Sequence, residues 1–215
     1  VLGHEMVGDI VATAEGVDEF KTGDRVFVSH HVPCYECHLC LSGKHSACEM
    51  LHTGNYNPGG FSEYIRVPEQ NVKYGTFKLP ENVSYDEATM IEPLACALAG
   101  QKRIGIESGQ TILIIGSGIS GLAHIQFARL KNARIIAMDI NEYRLNKALQ
   151  FGADHIMDAN EYSVESLKAI NDGRLAETII VCAGADKAVS DAFSSVEKRG
   201  TILFFAVPEK AITLQ

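Results

Sequence analysis

From Thr111 onward, short runs of apolar residues alternate with longer segments in which apolar residues recur every three to four positions. The apolar runs predict five strands, at residues 111–115, 134–139, 155–157, 178–182 and 201–205. The segments between them predict helices at residues 118–131, 142–151, 163–171 and 187–197. Strands that alternate with helices form a parallel sheet covered on both faces. We therefore expect an α/β, doubly wound domain here.

A glycine-rich turn lies between the first of these strands and the helix that follows it. Gly116 permits a tight turn, Gly118 lets the backbone approach a pyrophosphate, and Gly121 allows close packing of helix on strand. The pyrophosphate would lie at the helix N-terminus, where the amides near Ile119 and Ser120 point. This Gly-x-Gly-x-x-Gly pattern has a strand before it and a helix after it, so it predicts a Rossmann-type dinucleotide site.

The choice of dinucleotide depends on Asp139, which ends the next predicted strand. A carboxylate there can accept hydrogen bonds from both ribose hydroxyls and would repel a 2′-phosphate. Ile140 and Asn141 follow, and neither is basic, so we expect NAD rather than NADP. Arg144, one helical turn on, is a candidate contact to the adenosine. A glycine turn with a capping aspartate, and a solvated arginine, would give the same local pattern.

Four of the six cysteines lie close together, at positions 34, 37, 40 and 48. Two-residue gaps allow Cys34, Cys37 and Cys40 to converge on one ion, with Cys48 as a fourth ligand. Four thiolates close the shell of a tetrahedral Zn²⁺ and leave no place for a substrate, so this lobe predicts a structural zinc site. Disulfides and an iron–sulfur cluster are the alternatives.

The remaining thiols and the histidines of the lobe have simpler interpretations. Four sulfurs already complete a zinc shell, so His38 and His45 are expected at the surface. Cys96 and Cys182 stand alone and are expected to be buried as small apolar residues.

Composition excludes several classes of function. The net charge of −8 offers no basic surface for a phosphate backbone, so no nucleic-acid partner is expected. A hydrophobic content of 46% argues against disorder. The longest uncharged run, residues 108–128, is interrupted by glycines and carries polar residues, so no membrane span is expected. With no basic-then-apolar leader visible and reduced cysteines, we expect a cytoplasmic protein.

The first 80 residues differ from the rest, because they are rich in Gly, Pro, His and Cys and contain only short β-like runs. These runs predict strands at residues 9–13, 25–28 and 64–67 in a mostly β domain. A helix that begins near Ser84, with Asp86 and Glu87 in its first turn, is expected at the junction with the second domain.

One motif near the start of the chain connects these parts. His4-Glu5 alone is a weak signal, since such a pair is usually structural. It stands within Gly3-His4-Glu5-Met6-Val7-Gly8, followed by Ala14, Val17 and Lys21-Thr22-Gly23-Asp24-Arg25-Val26. This pattern resembles the signature of the zinc-containing alcohol dehydrogenase family, within the medium-chain dehydrogenase/reductase superfamily. The cysteine lobe, the segment Gly59-Gly60-Phe61-Ser62-Glu63-Tyr64 and the dinucleotide motif are similar to that family as well.

The resemblance implies a second, catalytic Zn²⁺. His4 would hold it, with Glu5 as an alternating ligand or a partner of the ligands. Glu92, in Ile91-Glu92-Pro93, matches the family position just before the cofactor domain, where a glutamate is similar to the polyol, threonine and butanediol branch. The zinc would stabilise the alkoxide and carbonyl forms of a secondary alcohol or polyol while hydride passes to NAD.

The resemblance also implies the domain organisation. Residues 1–92 would form a partial catalytic, GroES-like domain that carries the lobe at 34–48. Residues 93–215 would form the NAD-binding Rossmann domain without its last strand. A cysteine ligand and a proton-passing hydroxyl are expected upstream of Gly3, so we expect a piece of a longer protein that is a poor enzyme alone. The intact protein would be a homo-oligomer, either a dimer or a tetramer.

Further residues could line the substrate pocket or the nicotinamide site. His30, His31, Asn55 and Tyr56 are candidates for the first, and Ala183, Gly184, Phe204 and Phe205 for the second. Exposed strand ends and plain sheet core explain the same residues without any function. Two other functions remain open: a non-catalytic module that binds zinc and dinucleotide, and a zinc-independent, NADPH-dependent reductase of the same superfamily.

Overall fold

The computed structural model describes residues 2–208 and residue 211. The chain divides into two compact units, Val1–Pro93 and Leu94–Gln215.

The second unit is built on a parallel sheet of five strands among the described residues. In space the strands are ordered β6-β5-β4-β7-β8. This order matches the first five strands of the doubly wound dinucleotide-binding fold, so the predicted fold class is confirmed. The strands are β4 (Thr111–Ile115), β5 (Arg134–Asp139), β6 (His155–Asp158), β7 (Ala176–Val181) and β8 (Val196–Phe204).

Both faces of this sheet are buried. All five residues of β4 are buried, and alternate side chains enter two different apolar clusters. Leu113 and Ile115 pack with Leu167 and Ala192 of the helices on one face, whereas Ile112 and Ile114 face the other cluster. A strand buried on both faces is a continuous apolar run, and for this reason the strands were readable in the sequence.

Of the five helices among the described residues of the second unit, four follow the predicted positions closely, except at the end of the last one, and one was not predicted. The one that was not predicted is α5 (Ile91–Ile104), whose first three residues belong to the first unit. The others are α6 (Ile119–Leu130), α7 (Glu142–Gln150), α8 (Val164–Ile170) and α9 (Asp186–Ser195). The prediction that the last helix reaches residue 197 is wrong, since β8 begins at Val196 directly after α9. Val196 pairs with Ala176, and the register then shifts before Thr201 pairs with Thr178. This irregularity hides the start of β8 from any test of periodicity.

The first unit contains a three-stranded antiparallel sheet in the order β1-β2-β3. The strands are β1 (Glu5–Asp9), β2 (Arg25–Ser29) and β3 (Thr76–Lys78). The predicted strand at residues 9–13 is wrong, because Asp9 pairs with Arg25 at the end of the ladder. The strand predicted at residues 64–67 is reduced to a single bridge between Arg66 and Asn57.

The remaining helices of the first unit are short. They are α1 (His38–Leu41), α2 (Glu49–Thr53), α3 (Glu69–Gly75) and α4 (Tyr85–Thr89), with a 3-10 turn at His45–Ala47. The expected helix near Ser84 is α4. Its start is fixed by a capping box, in which the Glu87 amide donates to the Ser84 hydroxyl and the Ser84 amide donates to the Glu87 carboxylate.

No helix in the described part of the chain is long and apolar enough to span a membrane.

Candidate metal centres and dinucleotide site

The four cysteines of the lobe converge as their spacing predicts. Their sulfur atoms all lie within 4.8 Å of one another. The Cys34 sulfur is 3.8 Å from that of Cys40 and 3.6 Å from that of Cys48. A tetrahedron of sulfurs at the usual zinc–sulfur bond length has edges of about 3.8 Å. The four thiols therefore fit one tetrahedral Zn²⁺.

Backbone amides prepare these sulfurs for the thiolate form. The Cys34 amide donates to the Cys48 sulfur, and the amides of Glu36 and Cys37 donate to the Cys34 sulfur. Such hydrogen bonds lower the pKa of the Cys48 thiol to about 6, whereas burial raises the pKa of the Cys40 thiol to about 12. A metal bound here would displace the Cys40 proton.

None of the six cysteines forms a disulfide bond. His38 and His45 are exposed, as expected. Cys182 is half-buried, and burial raises the pKa of its thiol to about 12. The expectation that Cys96 is buried is wrong, because its place on α5 leaves it exposed.

His4, Glu5 and Glu92 form a second cluster of metal-binding groups. Glu5 is the first residue of β1 and His4 directly precedes it, whereas Glu92 lies in the first turn of α5. One ligand atom of each lies within 4.8 Å of the other two. An imidazole and two carboxylates are a donor set for a catalytic zinc, which keeps a position open for a further ligand. The residues present therefore fit such an ion.

The position of His4 is set by two glycines that touch backbone to backbone. A Cβ at Gly60 would lie 1.9 Å from the Gly3 carbonyl oxygen, and a Cβ at Gly3 would lie 2.7 Å from the Gly60 carbonyl carbon. The Gly60 amide donates to Leu2, and the Tyr56 hydroxyl donates to the Gly3 carbonyl over 2.8 Å. His4 is thus held through its own main chain.

Three further histidines extend from this cluster. The ring centre of His30 lies 4.9 Å from that of His4 and 3.8 Å from that of His31. The ring centre of His31 in turn lies 6.2 Å from that of His52. Burial lowers the pKa of His30 to about 4, and its Nδ1 has no hydrogen-bond partner among the described residues. Burial, and the charge of Glu92, raise the pKa of Tyr56 to about 12.

Sequence reasoning named His30 and His31 but missed His52. Nothing in the sequence marks His52, because its relation to His31 depends on how the lobe folds back. Asn55 is half-buried, and its Oδ1 has no partner within the described part of the chain.

The glycine-rich turn has the backbone that a dinucleotide site requires. Gly116 has a φ of +97°, and a Cβ at Gly121 would lie 2.0 Å from the Gly116 carbonyl oxygen. Gly118 is the N-cap of α6, and a Cβ built on it would meet nothing within 4 Å. The amides of Ile119 and Ser120 lie in the first turn of this helix, where unpaired N–H groups favour an anion.

Asp139 lies beside that turn and is oriented by it. Its Oδ2 accepts a hydrogen bond from the Ser117 amide over 2.7 Å, and its Oδ1 accepts one from the Asn141 amide over 2.9 Å. Arg144 lies 3.9 Å from the same carboxylate and is largely exposed. The glycine-rich turn and the Asp139 carboxylate thus lie side by side, in the arrangement that the sequence predicts.

Two family models match the chain. The model for the alcohol dehydrogenase GroES-like domain matches residues 1–81, and the model for zinc-binding dehydrogenases matches residues 120–215. The chain belongs to the zinc-containing alcohol dehydrogenase family. The resemblance noted in the sequence is thereby confirmed.

Curated members of the zinc-containing alcohol dehydrogenase family align over nearly the whole chain. Sorbitol dehydrogenase of Bacillus subtilis (strain 168) is 34% identical over 98% of this chain and 60% of its own length. L-threonine 3-dehydrogenase of Pyrococcus furiosus is 32% identical over 94% of this chain and 58% of its own length. The chain thus spans about three-fifths of the length of these relatives.

Solved structures of the family share the fold. Galactitol-1-phosphate dehydrogenase of Escherichia coli has a TM-score of 0.86 at 29% identity and covers 100% of this chain, which spans 62% of it. A zinc-binding dehydrogenase of Sinorhizobium meliloti 1021, solved bound to NADP, has a TM-score of 0.87 at 27% identity. The match covers 100% of this chain and 64% of that protein.

Proposed function

We propose that this chain serves an oxidoreductase that transfers hydride between a secondary alcohol or polyol and NAD, with zinc at the reacting oxygen. The convergence of His4, Glu5 and Glu92 within 4.8 Å carries this proposal. A closed four-sulfur site can only be structural, whereas this donor set leaves room for a substrate oxygen. The proposal concerns the whole protein, because this chain spans only about three-fifths of the length of the relatives.

Each group has a part in the proposed reaction. Zinc, when bound, supplies Lewis-acid stabilisation of an alcohol oxygen that loses its proton. His4 and Glu92 would hold the ion, with Glu5 as an alternating ligand or a support for the other two. His30, buried against His4, excludes water from one side of this group.

The dinucleotide is held by the second unit. Gly118 leaves space for the pyrophosphate, the amides of Ile119 and Ser120 donate to it, and Gly121 lets α6 approach β4. Asp139 would accept hydrogen bonds from the ribose hydroxyls, and Arg144 would lie against the adenosine. The Asp139 carboxylate disfavours a 2′-phosphate, so we propose NAD although one structural relative binds NADP.

We assign the metal centres to one proposed domain and dinucleotide binding to the other. Residues 1–92 are assigned to the partial catalytic domain, with a structural zinc on Cys34, Cys37, Cys40 and Cys48. Residues 93–215 are assigned to NAD binding. Diols and sugar alcohols are the proposed substrates, supported by the names of the relatives, which include L-galactonate-5-dehydrogenase of Escherichia coli.

We also propose that the intact protein is a cytoplasmic homo-oligomer, either a dimer or a tetramer. Among the described residues, β8 pairs only with β7, so its other edge offers backbone groups to the last strand expected in the intact protein, at the side of the sheet where the resemblance implies that subunits pair. Sedimentation equilibrium of the purified protein tests this proposal, and a monomer at all concentrations would contradict it.

The catalytic proposal can be tested by metal analysis together with measurements of turnover. The purified intact protein should hold about two zinc ions per chain, and His4→Ala should lose one of them while Cys40→Ser loses the other. Absorbance at 340 nm should rise with NAD and a polyol. A single zinc that His4→Ala leaves in place, with no turnover of any polyol, would indicate a non-catalytic module instead. Turnover with NADP alone that resists chelation would indicate the zinc-independent reductase.

A further inference from the structure

One short segment joins the two candidate metal centres. Residues 29–33, here called the connecting segment, leave the end of β2 and lead directly to Cys34. The segment carries His30, whose ring lies 4.9 Å from that of His4. Its position therefore affects the surroundings of the His4–Glu5–Glu92 cluster at one end and the first lobe cysteine at the other.

Two neighbouring amides on α3 hold this segment. The Asn71 side-chain amide donates to the Ser29 carbonyl over 2.9 Å and to the His30 carbonyl over 3.2 Å. The Gln70 side-chain amide donates to the Pro33 carbonyl over 2.7 Å. Asn71 is only 2% exposed, so its amide has no competition from water.

The helix packs against the segment without spare room. A Cβ at Gly75 would lie 2.5 Å from Cγ2 of Val32 and 3.3 Å from Cβ of Ser29. The far end of α3 is tied back as well, since the Thr76 hydroxyl donates to the Asn71 carbonyl over 2.9 Å. The helix thus fixes the segment by shape and by three directed hydrogen bonds.

We propose that Asn71 and Gln70 are positioning residues, one for each metal centre. Asn71 fixes the main chain at His30 and so the ring that packs on His4. Gln70 fixes Pro33 and so the approach of Cys34 to the other three sulfurs. The proposal rests on the proposed function, because Asn71 affects the reaction only where His4, Glu5 and Glu92 hold a metal.

Cobalt(II) in place of zinc reports on the two centres separately. In one preparation cobalt replaces only the metal of the His–carboxylate centre, with zinc kept in the lobe, so the visible bands report on that centre. In a second preparation cobalt replaces only the lobe zinc, so the near-ultraviolet charge-transfer bands of the four thiolates report on the lobe. The test compares Asn71→Ala and Gln70→Ala with Thr76→Val, a matched control that removes a hydrogen bond of the same helix but none to the connecting segment.

Asn71→Ala should shift the visible bands and weaken cobalt binding at the His–carboxylate centre by about tenfold, with the thiolate bands unchanged. Gln70→Ala should speed metal loss from the lobe by about tenfold and leave the visible bands unchanged. Thr76→Val should alter neither centre. A merely structural role would lower the melting temperature in all three variants without separating the two spectra.

Other results would count against one proposal or the other. If the intact protein, with its upstream ligands present, shows thiolate bands but binds no cobalt at the His–carboxylate centre, the proposed function fails. If the parent binds there and Asn71→Ala matches Thr76→Val, or disturbs both centres alike, the positioning role is overturned. If Asn71→Ala does not fold, Asn71→Ser is used in its place, because the serine hydroxyl keeps one hydrogen-bond donor. Weaker cobalt binding than in Thr76→Val then supports the role, and equal binding overturns it.

Discussion

The glycines of the dinucleotide turn differ in what they leave room for. A Cβ at Gly118 meets only open space, and its φ of −71° suits any residue. A Cβ at Gly121 would lie 2.0 Å from the Gly116 carbonyl oxygen. The fold thus requires a glycine at position 121, whereas the described structure leaves room for a side chain at position 118, the position that we assign to the pyrophosphate.

We therefore expect Gly118→Ala and Gly121→Ala to fail in different ways. Gly118→Ala should keep its stability but bind NAD about tenfold more weakly or worse, because the methyl group occupies the place of the pyrophosphate. Gly121→Ala should lose about 1–3 kcal/mol of stability through overpacking. Calorimetric titration with NAD and denaturant unfolding measure the two effects. If Gly118→Ala binds NAD as tightly as the unsubstituted protein, the pyrophosphate does not lie at this turn.

The carboxylate of Asp139 should decide between the two dinucleotides. Asp139→Asn removes its charge, so NAD should bind about 10- to 100-fold more weakly, and the preference for NAD over NADP should shrink. Fluorescence titration with both dinucleotides gives the ratio. Asp158→Asn, at the same end of the neighbouring strand, is the control and should leave it unchanged. An unaltered ratio in Asp139→Asn would contradict the ribose contact.

At the residue scale, the sequence shows local groups and hides distant ones. The four cysteines were visible because their ligand atoms come from one short stretch. His4 and Glu92 are far apart in the chain, so only the family resemblance connected them. Asn71 could not be found at all, since its role depends on carbonyl groups of a segment that packs on it only in the folded state.

At the scale of elements, the cysteine lobe has almost no core of its own. Within residues 34–48, only Cys40 and Cys48 are buried. A segment with so little buried apolar surface depends on its metal, because the binding free energy of the ion is then its folding free energy.

Removal of the lobe metal should therefore unfold this element locally. In Cys40→Ser we expect the amides of residues 34–48 to lose protection from hydrogen exchange, while those of β4 and β5 stay protected. Hydrogen-exchange mass spectrometry resolves these peptides. Cys96→Ser, which changes a cysteine outside the lobe, should keep both protected. Full protection of the lobe in Cys40→Ser would show that it folds without metal.

Elements differ in how well the sequence predicts them. The strands β4 and β5 were predicted to the residue, because both faces are buried and every position is apolar or at a strand end. The strand β1 was misplaced because it is short and only half-buried, so nothing in its own residues sets its register. Its position is determined by its partner β2.

At the scale of the whole molecule, acid should destabilise the protein through a buried histidine. His124 is fully buried in α6, and the Gln101 side chain donates to its main-chain carbonyl. Burial lowers the pKa of His124 to about 4. Below pH 6.5, the ordinary pKa of histidine, His124 is protonated in the unfolded chain. In the folded chain it stays neutral down to about pH 4.

The contribution of His124 to stability should accordingly be constant above pH 6.5 and fall as the pH drops from there to about 4, by no more than about 3.4 kcal/mol. Denaturant unfolding across this range should show the slope in the parent and in His155→Gln, a control on β6. His124→Leu should lose that part of the slope. A parent whose stability is flat over the range would show that His124 is protonated in the folded state.

The direct passage from α9 into β8 has a consequence for engineering. Ser195 ends the helix and Val196 already pairs in the sheet, so no residue there is available to absorb added length. Residues 11–16 are instead exposed throughout and lie outside the ladder of β1. A reporter peptide or a fused domain thus belongs in that stretch rather than at the helix–strand junction, where it would push the last described strand out of register.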